Sequence, residues 1–269
     1  MGSVKIGIAG CAGRMGQMLV HEVLGTAGTT LAGGTEQPGA PTVGKDIAAI
    51  IGGAATGATV TDDPAALFAR ADVVIDFTAP AASVRHAEIA ARTGKAMVIG
   101  TTGLSTDERA RLAAAAKTVP IVFAPNMSLG VNLLLALVEQ AAAKLGPGFD
   151  IEILELHHKH KVDAPSGTAL ALGEAAARGR GVKLADVAVR ARDGHTGARA
   201  AGAIGFAVLR GGAAIGDHEV LFLGEAERIE INHRASSRRI YAQGAVRAAQ
   251  WLAGRGPGLY GMKDVLGLG

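Results

Sequence analysis

Cys11 is the single cysteine among 269 residues. That excludes an intramolecular disulfide framework and a multi-cysteine zinc site, fits a reducing compartment, and makes the cytoplasm the expected location. Aromatic residues are also scarce, at 3%. The 27 lysines and arginines are spread along the chain against 24 acidic residues, for a net charge of +3. Without a basic tract interleaved with aromatics, nothing here calls for nucleic acid. Long apolar runs are missing too. The longest, 131–138 with Asn132 inside it, stops at Glu139, far short of the ~20 residues that span a bilayer, so it predicts a buried helix and no membrane partner. The chain enters a strand-like run at Val4 directly, without the charged-then-apolar layout of a signal peptide. Ile6 stands where a myristoylation signal needs Ser or Thr.

What is present is small and apolar. Nearly half of the residues (49%) are hydrophobic, and the abundance of Ala, Gly and Val suits tightly packed α/β layers. In the first half, short β-branched runs alternate with Ala-rich helical stretches: 5–9 then 15–24, 73–77 then 83–92, 96–99 then 106–117, and 121–124. This βαβ alternation predicts a Rossmann-like parallel sheet with ligands outside the carboxyl ends of its strands. Ser105 and Glu108 form a capping box at the start of one helix. Beyond Ser128, a candidate N-cap, a helix over 129–144 leads into strand-like runs at 151–156, 186–190, 204–209, 219–223 and 228–233. They predict a second, smaller α+β domain with a mostly antiparallel sheet, covered by one helix from Ser166. The expected division is a dinucleotide-binding domain (1–128), a substrate-binding and oligomerisation domain (129–240), and a segment (241–269) whose helix at 242–252 returns to the first domain. Residues near Ser128 and Ile240 are candidate hinges.

Directly after the first strand comes Gly10-Cys11-Ala12-Gly13-Arg14-Met15-Gly16. The glycines allow a tight turn, close backbone approach to a pyrophosphate and close helix packing. Glu36, which is 20 residues past Gly16, is placed to accept hydrogen bonds from a ribose diol. Gly100-Thr101-Thr102-Gly103, Ala124-Pro125-Asn126-Met127 and Asp76-Phe77-Thr78 each follow an apolar strand, so all belong to the edge where a dinucleotide binds. The expected cofactor is NADH or NADPH. Glu36 is flanked by Thr35 and Gln37 and would repel a 2'-phosphate, so NADH should bind at least as well as NADPH, unless Lys45 or Arg14 compensates. Cys11 is expected to serve packing rather than thiol chemistry.

The densest chemistry lies at Glu155-Leu156-His157-His158-Lys159-His160-Lys161-Val162-Asp163-Ala164-Pro165-Ser166-Gly167-Thr168, between a strand and what reads as the first turn of a helix beginning at Pro165. Cations, imidazoles that titrate near neutrality and a helix N-terminus together suit a small carboxylate-bearing substrate that needs a proton. Strand alternation, if it persisted, would put His157, Lys159 and Lys161 on one side and His158 and His160 on the other. Within the cluster, His160 is the candidate for a structural role. His195, His218 and His233 read as packing or hydrogen-bonding residues.

This run is similar to the signature of the 4-hydroxy-tetrahydrodipicolinate (dihydrodipicolinate) reductase family. The resemblance continues through Gly194-His195-Thr196-Gly197, Ile204-Gly205-Phe206 and His233-Arg234-Ala235-Ser236-Ser237-Arg238. It implies NAD(P)H-dependent reduction of a cyclic unsaturated dicarboxylic imine in lysine and diaminopimelate biosynthesis, by a homotetramer assembled through the second sheet. By motif, it implies that His157 is a proton donor/acceptor and Lys161 a proton donor, that His158 binds substrate, and that Gly167 and Thr168 grip a carboxylate. Where relatives carry a basic residue after the ribose ligand this chain has Gln37, and where some carry Arg it has Ala79. Both differences bear on cofactor preference.

Two other classes compete. A metal hydrolase using His157, His158, His160 and Asp163 has no zinc spacing in its favour, and the lysines would repel a cation; no metal is expected. A regulator that senses NAD(H) without turnover leaves the His/Lys cluster without a purpose.

Overall fold

Alternation of β-branched runs with Ala-rich helices produces seven strands, all parallel, in the first of two units. The computed structural model describes residues 2–268. One unit runs up to Leu129 and resumes at Arg239; the other is Gly130–Arg238.

In chain order the first unit contains β1 (Val4–Ala9), α1 (Arg14–Gly25), β2 (Thr29–Thr35), β3 (Val60–Thr61), α2 (Pro64–Arg70), β4 (Val73–Asp76), α3 (Pro80–Thr93), β5 (Ala96–Ile99), α4 (Thr106–Ala115) and β6 (Pro120–Phe123). The strand order is β12-β6-β5-β4-β1-β2-β3, with the last-formed strand at one edge. Because the chain winds one way from β1 and then the other, the switch point lies between β1 and β4, where such sheets bind ligands. Both faces are covered. Leu19, Val20 and Val23 of α1 pack with Ile6, Ile8 and Val98 on one side, and Leu67, Val84 and Leu112 of α2, α3 and α4 pack with Val74, Met97 and Ile121 on the other. Each such side chain contributes about 1.5–3 kcal/mol by leaving water. The capping box starts α4: Ser105 accepts the N–H of Glu108, whose carboxylate accepts the N–H of Ser105.

The second unit is built from α5 (Leu129–Leu145), β7 (Asp150–His157), α6 (Gly167–Gly179), α7 (Leu184–Val187), β8 (Ala188–Val189), β9 (Ile204–Arg210), β10 (Asp217–Leu223) and β11 (Arg228–Arg234). Its sheet, ordered β11-β10-β7-β9-β8, is mixed. β10 pairs antiparallel with β7 and β11, but β9 runs parallel to β7 and β8, because the long passage through α6 and α7 brings the chain back in the same direction. The run 186–190 is no full strand: Leu184–Val187 makes one helical turn and only Ala188–Val189 pairs. Ile151, Ile153, Phe206, Val220 and Phe222 point to one face, under Leu134 and Val138 of α5 and Leu172 and Ala176 of α6. By length and composition the stretch Leu129–Gly148 could cross a membrane, but Leu134, Val138 and Ala142 are committed to this core.

The closing helix α8 (Arg239–Leu252) lies in the first unit, starting three residues before the expected position. It buries Ala245, Val246 and Leu252 in the same core as α1. It is followed by β12 (Gly258–Tyr260) beside β6 and by α9 (Met262–Leu266). Three residues are too few to show strand periodicity, so β12 has no clear sequence signal.

Candidate active site

In the first unit, the glycine-rich turn closes over the end of β1. Gly10 has φ +68°, a left-handed conformation that favours glycine. A Cβ at Gly16 would stand 2.6 Å from the Cα of Cys11, so only glycine lets α1 begin so close to the turn. The N-cap of α1, Gly13, offers no side chain to the first amides of the helix, which leaves Arg14 and Met15 at a helix start suited to a pyrophosphate. The N–H groups of Gly10 and Cys11 are bonded to the carbonyl of Thr35. Ala12 donates its N–H to Oε1 of Glu36 at 2.7 Å. Cys11 is fully buried. Burial, aided by Glu36, pushes its thiol up to about 12, so it packs and carries no thiolate chemistry.

A cavity of about 630 Å³ opens at the switch point, lined by Gly10, Gly13, Glu36, Thr78, Arg85 and His86 among others. The cation on this wall is Arg85; neither Arg14 nor Lys45 lines it. Beneath it lies the fully buried Asp76. Its Oδ1 accepts from the N–H (2.8 Å) and hydroxyl (2.7 Å) of Thr78. The hydroxyls of Ser83 and Thr101 also bond Oδ1, at 3.0 and 3.2 Å. Oδ2 meets Nδ1 of His86 at 2.6 Å. Asp76 thus ties the loops after β4 and β5 together. Gly100 rests against the ring of Phe77, with no room for a Cβ, and Thr102 follows it at the end of β5. After β6, Ala124 donates its N–H to the carbonyl of Ile99, Asn126 accepts the N–H of Ser128 at 2.9 Å, Met127 is buried in the core and Pro125 is exposed. Thr101, Ala124 and Met127 are all buried, so their side chains serve packing and the loop network at this edge.

In the second unit, β7 ends at His157, and its alternation puts Ile151, Ile153, Glu155 and His157 on the buried side. Glu155 is fully buried. Its Oε1 accepts the N–H of Ser166 and a guanidinium N–H of Arg210, each at 2.9 Å. Oε2 takes a second Arg210 N–H at 2.9 Å and a very short bond from Nδ1 of His157. Burial works against ionisation of Glu155, but Arg210 and Ser166 override it and hold the carboxyl below its usual range. Burial likewise pushes His157 down, against the upward pull of Glu155. His218 packs edge-on against His157, with ring centroids 5.1 Å apart. Its Nε2 lies 3.2 Å from the Ser166 hydroxyl, and burial, then His157, lowers it to about 4.

Ser166 is the N-cap of α6, accepting the N–H of Ala169 at 3.1 Å. The helix therefore starts at Gly167, two residues after Pro165, and Gly167 and Thr168 form its first turn beside Glu155. Lys161 pairs with Asp163 at 2.8 and 2.9 Å. His158, Lys159 and His160 line a separate hollow of about 590 Å³ together with Arg238. Strand alternation stops at His157, so Lys159 falls in with His158 and His160 rather than with His157 and Lys161. The structure thus ties His157 and Ser166, the N-cap that precedes Gly167 and Thr168, to one carboxylate, with Lys161 in the connecting loop and His158 in the hollow it shares with Lys159 and His160.

Three further members complete this arrangement: Glu155, Arg210 and His218, of which the last two are not evident from spacing. Glu155 had a signal, since it lies two residues before His157 and so on the same strand face. Arg210 and His218 arrive by sheet register, Arg210 opposite His157 and His218 opposite Glu155. Among the described residues, no group of three or more His, Cys, Asp or Glu is placed to hold a metal ion.

Residues 4–127 match the family model for the N-terminus of dihydrodipicolinate reductase, and residues 130–266 match the model for its C-terminus. The chain is 57% identical over 261 residues to the 4-hydroxy-tetrahydrodipicolinate reductase of Dinoroseobacter shibae, covering 97% of each protein. It is 55% identical over 267 residues to that of Rhizobium rhizogenes, covering 99% of this chain and 97% of the relative. The fold matches that of a dipicolinate-bound dihydrodipicolinate reductase from Paenisporosarcina sp. with a TM-score of 0.78 and 24% identity, covering 97% of this chain and 99% of the other. The chain belongs to the dihydrodipicolinate reductase family.

Proposed function

We infer that the chain catalyses NAD(P)H-dependent reduction of 4-hydroxy-tetrahydrodipicolinate, through dihydrodipicolinate, to tetrahydrodipicolinate, with His157 and Lys161 as its proton-handling residues. The carrying observation is one buried carboxylate, that of Glu155, which holds both His157 and the start of α6. It puts a proton-handling imidazole beside a helix start that favours a carboxylate. The cradle at Gly16 and the uncapped amides of α1 fit a dinucleotide. When bound, NAD(P)H supplies the hydride, which leaves negative charge along the reduced ring. Lys161 carries the cation that answers this charge, and His157 exchanges a proton through Nε2 because Nδ1 is committed to Glu155. Gly167 and Thr168 orient the ring by holding one carboxylate at the α6 N-terminus, and His158 contributes to substrate binding from the adjacent hollow.

The assembly we favour is a homotetramer joined through the second sheet. Leu154, Leu156 and Leu221 are half-buried on the face opposite α5 and α6, and Leu209, on the same face, is 49% exposed. An apolar sheet face of this kind suits a second copy of the chain. Light scattering of the purified protein tests it; a monomeric mass would overturn it.

The reaction is tested by following loss of NADH absorbance while the substrate is generated from pyruvate and aspartate semialdehyde. Oxidation suppressed by pyridine-2,6-dicarboxylate is the expected result. NADH binding without turnover would favour a sensor or a reductase of a different imine.

A further inference from the structure

His157 has one nitrogen committed and one open. Its Nδ1 faces Glu155. Its Nε2 lies beside Gly216, where a Cβ would stand 2.9 Å away, so the glycine leaves this nitrogen uncovered. Glu155 is itself immobilised by both arms of the Arg210 fork, and Arg210 also donates to the carbonyl of Asp163 at 2.7 Å. Through Ser166 the same carboxylate reaches the N-cap of α6. The loop carrying Lys161 is therefore held at its start, near its end and at the following helix by one buried ion pair. An ionised carboxylate only accepts hydrogen bonds, so the neutral imidazole facing it must carry its proton on Nδ1. A carboxylate that fixes tautomer and ring orientation in this way can govern proton transfer without touching the substrate.

We propose that Glu155, locked by Arg210, is the positioning residue of the active site: it sets the Nδ1–H tautomer of His157, aims Nε2 at the substrate, and fixes the carboxylate-gripping end of α6. This rests on the reductase reading above and names a residue that acts through His157. The charged and titratable groups around His157 are Glu155 on its own strand, Arg210 on β9, His218 on β10 and Lys161 in the loop. Only Glu155 favours the imidazolium among them. Removing its charge therefore moves ionisation of His157 to lower pH, whichever form is active.

Glu155→Gln keeps the length of the side chain and an oxygen for Ser166 but loses the charge. The expected result is kcat lower by roughly tenfold to a hundredfold, an unchanged KM for NADH, and the His157 limb of the kcat profile shifted downward by about one pH unit. A folded variant with the wild-type kcat and pH limb would overturn the proposal. The second measurement needs no variant and no turnover. In wild-type protein labelled with ¹⁵N-histidine, His157 is expected to keep Nδ1 protonated from pH 5 to 9 while only Nε2 titrates. A neutral tautomer protonated on Nε2 would overturn the assignment even if Glu155→Gln fails to fold. Failure of the reductase reading is separately visible as absence of turnover in the wild-type enzyme.

Discussion

Glu36 accepts the N–H of Ala12 at 2.7 Å, so the carboxylate just beyond β2 also closes the glycine-rich turn after β1. A ribose diol can share this carboxylate, whereas a 2'-phosphate would be repelled by it. NADH is therefore expected to give a kcat/KM at least equal to that with NADPH. A tenfold or greater preference for NADPH would refute this. Arg85 is the cation on the wall of the same cavity, and it has the chemistry to offset the repulsion. Arg85→Ala should raise KM for NADPH by about tenfold, the equivalent of ~1.4 kcal/mol, and KM for NADH by much less. Equal losses with both cofactors would remove Arg85 from the 2'-phosphate site.

Asp76 is the anchor of the neighbouring loops. Its burial opposes ionisation, yet the bonds from His86 and Thr78 prevail and hold it below the usual carboxylate range. A depressed carboxylate stabilises the fold above its unfolded value of ~3.9, and that stability is lost as pH falls through the lower, folded value. Asp76→Asn removes the charge and leaves Oδ2-facing His86 without its anion. The expected loss is about 3–5 kcal/mol at pH 7, or roughly 10 °C in Tm. Wild-type Tm should fall steeply below about pH 4, and the variant should fall less. Parallel pH curves with equal Tm would show that the network contributes nothing.

Features set by neighbours in sequence were legible in advance. The glycine turn, the capping box at Ser105 and Glu108, and the strand read over 151–156, which the fold extends to Asp150–His157, all depend on spacings of a few residues. The site needed more. Arg210 and His218 reach His157 and Glu155 through strand pairings across 53 and 63 positions, and nothing local in Asp217-His218-Glu219 distinguishes a site histidine from an ordinary strand residue. The parallel pairing of β9 with β7 is equally invisible, because its direction is set by the passage through α6 and α7. Arg85 is exposed on α3, and only the placement of that helix along the cavity distinguishes it from other helix-surface charges.

Replacing His157 or Lys161 by Ala separates chemistry from cofactor binding. Their elements lie in the second unit, whereas the glycine turn and Glu36 lie in the first. Each variant should lose roughly a hundredfold to ten-thousandfold in kcat, the usual contribution of a positioned acid or base. Affinity for NADH, measured by fluorescence titration, should barely change. Full kcat in either variant would cancel the proton role given to that residue.

Thr168 tests the other half of the substrate site. The N-cap of α6 is Ser166, whose hydroxyl accepts the N–H of Ala169, so Thr168→Val keeps the cap and the helix start while removing a hydroxyl from the first turn. A contact with a substrate carboxylate exists before the hydride moves and persists after it, so its loss weakens ground state and transition state alike. The variant should raise KM for the dicarboxylate by about tenfold and leave kcat within roughly twofold of the wild type. Pyridine-2,6-dicarboxylate should lose affinity by the same factor, since it offers the same carboxylate geometry without reacting. Thr168→Ser should restore both values, because the hydroxyl and not the methyl makes the contact. An unaltered KM in Thr168→Val would place the carboxylate elsewhere, whereas a fall in kcat at constant KM would mean that the hydroxyl acts only once charge has developed on the ring.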